Sequence, residues 1–286
     1  MTAWNPRAIQ GLILDMDGVL WRGGQPLGPL PEWFARMRAL GLRWVFVTNN
    51  ATRSPRAYVE RLRGLGVPAR EEQIINSAMA AAALLKTRWP QAEARVLTLG
   101  EGGLDEVLSQ AGFSITHEPP ADVVVAALDR QCTYEKLARA ARAVHQGAWL
   151  VGTNPDRTYP VPEGLAPGAG ALLAALEAAT DAQATIAGKP EPWPFRLALQ
   201  RLGLPPERVL AVGDRLETDI LGAQRLGIPT ALVLSGVTTR EQALAWEPPP
   251  NWMGEDLGRL LAYLEMVCRG PRALAPDAGD GGEGGP

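Results

Sequence analysis

The sequence is poor in the residues that build thiol and imidazole chemistry. Its 286 residues include two cysteines, Cys132 and Cys268, and two histidines, His117 and His145. Two cysteines are too few for a disulfide framework or a cysteine zinc site. The two histidines are far apart in sequence, without metal-ligand spacing, and read as ordinary buried or surface imidazoles. No apolar run approaches the ~20 residues that span a bilayer, and Met1 to Gln10 lacks the apolar stretch of a secretion signal. Neither sign of charge dominates. The formal net charge is -3, from 28 Lys and Arg against 31 Asp and Glu, so nothing marks a nucleic-acid or anionic-membrane partner. At 46% hydrophobic and 21% charged, the chain can pack one large or two ordinary domains. The expectation is a soluble, cytoplasmic protein.

What is present is a series of short, unbroken apolar runs that stop abruptly at polar groups. Leu12-Ile13-Leu14 stops at Asp15, with a second acid at Asp17 and then Gly18. Trp44-Val45-Phe46-Val47 stops at Thr48-Asn49-Asn50, and Val209-Leu210-Ala211-Val212 stops at Gly213-Asp214. Runs of this kind suggest strands buried on both faces, as in a parallel sheet. Helical spacing follows the first two runs, over Pro31 to Leu40 and from Ser54-Pro55 to about Leu65, with serine as the cap and proline in the first turn. Arg22-Gly23-Gly24-Gln25 reads as a tight hairpin. Strand–helix alternation predicts α/β architecture.

From Ser77 to about Gln183 the pattern begins afresh, with helices at Ser77 to Trp89 and Thr133 to His145 and strands at Arg95–Leu99, Val123–Ala126 and Trp149–Val151. Gly100-Glu101-Gly102-Gly103 lacks the third glycine of a dinucleotide fingerprint in register, and reads as an ordinary strand-to-helix turn. Further strands are expected at Val209–Val212 and Thr230–Leu234, and helices at Pro194 to Leu202 and about Thr218 to Leu226.

In a doubly wound sheet, ligands bind at the carboxyl ends of the strands. That rule brings Asp15, Asp17, Thr48, Asn49, Asn50, Lys189 and Asp214 to one edge. Carboxylates so placed would repel one another and take up protons unless a cation compensates them. Mg²⁺ suits such a set, because it binds through one or two carboxylates plus substrate phosphate. Lys189 would add positive charge, and Thr48 and Asn49 can donate hydrogen bonds to phosphate oxygens. Asp15 and Asp17, at i and i+2, would face one way on an extended chain. Gly18 and the hairpin suggest instead that the chain turns at Asp17, so that one acid can attack while the other transfers a proton.

The chain resembles the haloacid dehalogenase superfamily of phosphatases, in the NagD-like, class IIA branch. The resemblance is carried by Asp15-Met16-Asp17-Gly18-Val19-Leu20-Trp21, Thr48-Asn49-Asn50-Ala51-Thr52-Arg53, Gly188-Lys189-Pro190 and Gly213-Asp214-Arg215-Leu216-Glu217-Thr218-Asp219-Ile220. It implies a Rossmann-like core with a parallel sheet over residues 1–79 and 184–268, and an inserted α/β cap of C2 type over 80–183. The tail, 269–286, is read as disordered from its composition. The resemblance further implies Asp15 as nucleophile through an aspartyl-phosphate, with Asp17 as acid and base. Thr48, Asn49, Asn50 and Lys189 would hold the phosphoryl group. Mg²⁺ would sit on Asp15, Asp214 and the main-chain carbonyl of Asp17, with Asp219 near the metal or at a helix N-terminus. Glu217 departs from the aspartate common in relatives.

The implied activity is hydrolysis of a small phosphate monoester. Alternatives are a phosphotransferase or mutase on the same scaffold, or a phospho-accepting binding module, against which an acid beside Asp15 argues. In the resembled family the segment from Val151 to Pro160 meets the leaving group. There Tyr159 can stack and hydrogen-bond, Arg157 can meet a second anion, and Asn154 and Asp156 can shape the turn; an exposed connector is the other reading. Relatives often form dimers through their caps, so a homo-oligomer is expected on the same ground.

Overall fold

The computed structural model describes residues 4–161 and 164–269. The chain opens with β1 (Gly11–Leu14), the hairpin β2 (Trp21–Arg22) and β3 (Gln25–Pro26), α1 (Leu30–Ala39), β4 (Arg43–Thr48), α2 (Pro55–Gly64), β5 (Ile74–Asn76) and α3 (Ser77–Arg88). A second series comprises β6 (Arg95–Leu99), α4 (Gly102–Gln110), β7 (Ser114–Thr116), β8 (Val123–Ala126), α5 (Tyr134–His145), β9 (Trp149–Gly152), β10 (Thr158–Val161), β11 (Gly164–Pro167), α6 (Ala169–Thr180) and β12 (Thr185–Ile186). The chain then runs through α7 (Pro192–Leu202), β13 (Val209–Gly213), α8 (Leu221–Gln224), β14 (Thr230–Val233), α9 (Arg240–Leu244), β15 (Trp252–Gly254) and α10 (Leu257–Arg269).

Two parallel sheets result. The first has six strands in the order β15-β14-β13-β1-β4-β5, and the second has five in the order β12-β9-β8-β6-β7. The apolar runs earn their place by burial on both faces. Leu12 and Leu14 pack with α1, α2 and α10, while Ile13 between them packs with α7. The second sheet is covered likewise, with Val123 and Val125 towards α3 and α4 and Val124 towards α5 and α6. The α3 helix, which follows a strand of the first sheet, also touches α7, so it joins the two units.

Local sequence explains several boundaries. Gly41 adopts φ +70° just beyond α1, and Gly23 and Gly24 hold the β2–β3 turn at φ +55° and +94°, a region glycine enters without strain. Ser54 precedes α2 as expected, but its side chain makes no capping bond. Four expectations need correction. Thr185–Ile186, counted with the core from residue 184, pairs with β9 of the second sheet; a two-residue strand has too little pattern to read. The helix expected from Thr218 to Leu226 is present but begins at Leu216 with a wide, π-helical turn over Leu216–Ile220, where the Ile220 N–H reaches back to the Arg215 carbonyl, and continues as α8 only to Gln224. The segment beyond Asp156 is a hairpin, β10–β11, rather than loop throughout. Arg269 ends α10, and the rest of the expected tail, 270–286, lies outside the described residues.

Candidate active site

The first sheet reverses its winding between β1 and β13, where a doubly wound sheet opens a crevice. Asp15 follows β1 there, and its N–H donates to the Val212 carbonyl of β13 (2.9 Å). Asp214 follows β13 and Thr48 ends β4. Lys189 arrives from the link after β12 and completes the group. Its Nζ lies 2.6 Å from Asp15 Oδ1, 2.6 Å from Asp219 Oδ1 and 3.3 Å from the Val47 carbonyl.

Asp219 owes its position to the wide turn. Its Oδ2 accepts from the Arg215 N–H at 3.1 Å, and a side chain at Gly213 would place its Cβ 2.2 Å from Asp219 Cβ. Only glycine allows that approach. Asp214 is held from the other side, where Val237 N–H donates to its Oδ2 (2.8 Å).

Asp15, Asp214, Asp219 and Lys189 are all buried. Burial drives the Asp15 carboxyl well above its ordinary range, against the pull of Lys189, with Asp219 and Asp214 adding to the rise. Burial first and Asp219 second push Asp214 up to about 7. Lys189 is raised: burial opposes its charge, but Asp15 and Asp219 outweigh that effect. Three carboxylates facing one ammonium leave the site short of positive charge. Asp15, Asp214 and Asp219 each present an oxygen within 4.8 Å of the others. A compact, buried all-oxygen donor set of this kind fits a hard divalent cation.

Asp17 stands apart from this cluster and is exposed at the pocket wall. Gly18, at φ +84°, turns the chain there, as the order of Asp17, Gly18 and the hairpin suggests. The pocket, of about 460 Å³, is lined by Asp15, Asp17, Thr48, Asn49, Asn50, Lys189, Asp214 and Asp219 from the first unit. Arg130, Asn154, Asp156, Thr158 and Tyr159 line it from the second. Tyr159 therefore reaches the site, while Arg157 is not among the lining residues.

Two of the expected phosphate-binding residues, which line the pocket, also make contacts within the protein. The Asn49 carboxamide accepts from Lys189 N–H (2.8 Å) and donates to the Lys189 carbonyl (3.0 Å), so it fixes the lysine's backbone. Asn50 Oδ1 accepts from the Thr52 N–H and hydroxyl, which shapes the turn. The Thr48 hydroxyl accepts from Asn50 N–H (3.1 Å) and also hydrogen-bonds the buried Tyr58 hydroxyl.

Sequence reasoning misses Arg22 and the loop after β14. Arg22 donates to the carbonyls of Ser235 and Gly236, and the Ser235 hydroxyl donates to the Gly18 carbonyl, tying the β2–β3 hairpin to the loop over Asp214. The signal is present, since Ala231 to Leu234 is one more apolar run that stops at Ser235-Gly236.

A family model described as haloacid dehalogenase-like hydrolase matches residues 12–114, and an HAD-hydrolase-like model matches residues 186–260. The acid sugar phosphatase of Staphylococcus aureus is 36% identical over 253 residues, covering 88% of this chain and 97% of the relative. The chain belongs to the haloacid dehalogenase-like hydrolases. Within that family it is a phosphatase of the NagD-like branch.

Solved structures agree. The 4-nitrophenylphosphatase from Thermotoga maritima superposes with a TM-score of 0.83 at 33% identity, covering 90% of this chain and 98% of that one. A glycerol phosphate phosphatase from Mycobacterium tuberculosis, in complex with calcium, gives 0.83 at 36% identity, covering 90% and 75%. In this haloacid dehalogenase-like hydrolase, no helix of the described residues is long and apolar enough to cross a membrane.

Proposed function

We propose that the chain is a Mg²⁺-dependent phosphomonoesterase that hydrolyses a small phosphorylated metabolite through an aspartyl-phosphate on Asp15. The observation that carries this reading is the division of the acids. Asp15 is buried against Lys189 beside Asp214 and Asp219, while Asp17 stands outside that cluster, exposed at the pocket wall. One carboxylate is equipped to attack and the other to move a proton.

Asp15 and Asp214, with the Asp17 main-chain carbonyl, would hold the cation, and Asp219 is placed to complete or support the set. When bound, Mg²⁺ supplies positive charge that the carboxylates and a phosphate dianion otherwise lack. The Asp15 carboxylate bonds phosphorus as the ester P–O bond breaks, and Asp17 gives its proton to the departing oxygen. A water then attacks the phosphorus of phospho-Asp15 and passes its proton to Asp17, releasing phosphate and restoring both acids. Lys189 and the Thr48 hydroxyl steady the transferring group, where positioning and charge neutralisation supply most of the rate. Asn49 serves by orienting Lys189.

The second unit, residues 80–183 with β12 added, acts as a cap that presents Tyr159 and Arg130 to the leaving group. Sugar phosphates and glycerol phosphate are the substrate classes favoured by the relatives' names. Acid quench during turnover should trap a phosphoenzyme that borohydride reduction maps to Asp15. Asp15→Asn should form none and should lose turnover while keeping its fold. A labelled site elsewhere, or near-normal hydrolysis by the variant, would refute the covalent route.

A further inference from the structure

A carboxyl group exposed at a pocket wall can carry its proton on either oxygen unless a neighbour distinguishes the two. Among the described residues Asp17 makes one side-chain hydrogen bond: Trp21 Nε1 donates to its Oδ1 at 2.8 Å. The backbone brings the pair together. The Met16 carbonyl accepts from the N–H groups of Leu20 and Trp21, and Gly18 N–H donates to the Trp21 carbonyl at 2.7 Å, so the chain coils until residue 21 meets residue 17. Trp21 is fully buried at 0% exposure, and the Arg61 guanidinium of α2 stacks 4.1 Å from its ring centroid. The indole is therefore pinned between the core and a cation. Its nitrogen does not line the pocket and cannot touch substrate.

We infer that Trp21 is a positioning residue that assigns the two oxygens of Asp17 their roles, Oδ1 to the indole and Oδ2 to the reaction. This rests on the reading of Asp17 as acid and base. An indole N–H donates and never accepts. The carbonyl oxygen of a protonated carboxyl accepts more strongly than its hydroxyl oxygen, so the indole bond favours Oδ1 as the acceptor in both states and directs the proton to the other oxygen. The transferable proton travels on Oδ2. It leaves Oδ2 for the ester oxygen as the ester P–O bond breaks, and it returns to Oδ2 from the water that attacks phospho-Asp15. The indole bond survives both transfers, so the acid needs no reorientation between the two half-reactions.

Trp21→Phe keeps an aromatic ring in the core and removes the N–H. The test compares kcat/KM for glycerol phosphate, whose alkoxide needs a proton to depart, with that for 4-nitrophenyl phosphate, whose phenolate does not. The variant should lose about tenfold on glycerol phosphate, part of the 10²–10⁴ that a whole proton transfer supplies, and less than about twofold on the nitrophenyl ester. The ratio of the two is independent of how much enzyme is folded. Replacing the Trp21 side chain by benzothienylalanine, with sulfur in place of the N–H, repeats the comparison in a fully packed core. In an Asp17→Asn background Trp21→Phe should leave the ratio unchanged. Equal loss on both substrates, or no loss, would show Trp21 to be only packing and overturn the assignment. If Asp17→Asn discriminates between the substrates and Trp21→Phe does not, the Trp21 assignment alone falls. If Asp17→Asn itself does not discriminate, the acid–base reading of Asp17 falls and takes the assignment with it.

Discussion

Lys189 sets the charge balance of the site, because it is the ammonium held directly against both Asp15 and Asp219. Breaking a buried ion pair from one side typically costs about 3–5 kcal/mol, although carboxyls free to protonate blunt the loss. Lys189→Met should therefore lower the melting temperature of the metal-free protein and abolish turnover, with the stability loss shrinking at acid pH. A variant as stable as the parent at pH 7.5 without metal would contradict this. The raised carboxyls give a second expectation, with a defined sign. Asp214, ordinarily near 3.8, holds its proton in the fold up to about 7. Its contribution favours the fold at low pH and disappears as pH rises through about 7. The metal-free protein should lose stability between about pH 4 and 7, and Mg²⁺ should restore it most at the upper end, since metal ligands must be deprotonated. Calorimetry with and without chelator reads both effects; stability that climbs with pH in chelator would exclude it. At this scale Asp15, Asp214 and Lys189 are legible in sequence, since each ends or follows an apolar run, whereas Asp219 comes only with the family resemblance. The engagement of Asn49 with the Lys189 backbone is not, because 140 residues separate the pair.

The elements are legible in proportion to their pattern. The runs at β1, β4, β8 and β13 are apolar throughout and bounded by polar or glycine residues, and the structure puts strands there. β7 and β12 are missed, being edge strands of three and two residues with little burial to mark them. α6 is alanine-rich with a weak apolar face; α10, after Pro248-Pro249-Pro250, carries the helical spacing Leu257, Leu260, Leu261 and Leu264 and goes unread although its pattern is present. The β10–β11 hairpin hides because Pro160 and Pro167 read as loop, yet both lie within a two-stranded sheet, where proline is tolerated at edges. That hairpin carries Tyr159 into the pocket. Tyr159→Ala should change kcat/KM unevenly over a panel of sugar, glycerol and nitrophenyl phosphates, with the nitrophenyl ester suffering least among good substrates. Uniform loss would point to impaired folding or closure, and no change at all would make the hairpin a bystander.

The two sheets meet where the segment after β12 runs beside the segment after β9. Ala187 N–H donates to the Gly152 carbonyl (2.9 Å), Asn154 Nδ2 donates to the Asn49 carbonyl (2.8 Å), and a Cβ on Gly188 would fall 2.2 Å from the Thr153 carbonyl. The junction between the units is thus built from the same residues that aim Lys189, so the seating of the second unit is tied to the placement of its ammonium. The sequence carries the existence of two α/β units, through the restart of the strand–helix pattern, but the junction depends on contacts between residues 49, 153 and 188 that no local pattern encodes. With the second unit in place, the space over Asp15 is about 460 Å³, at the small end of the ~300–1,000 Å³ typical of ligand pockets. A sugar phosphate fits such a space, whereas a phosphoserine embedded in a folded protein cannot bring its phosphorus to a carboxylate that is 8% exposed. The enzyme should therefore hydrolyse free phosphoserine and glycerol phosphate, and should act at least about a hundredfold more slowly in kcat/KM on a phosphoserine flanked by peptide on both sides. Because the free and embedded phosphates share one leaving-group chemistry, the difference measures access rather than reactivity. Comparable rates on the two would mean that the second unit opens far enough to admit a polymer.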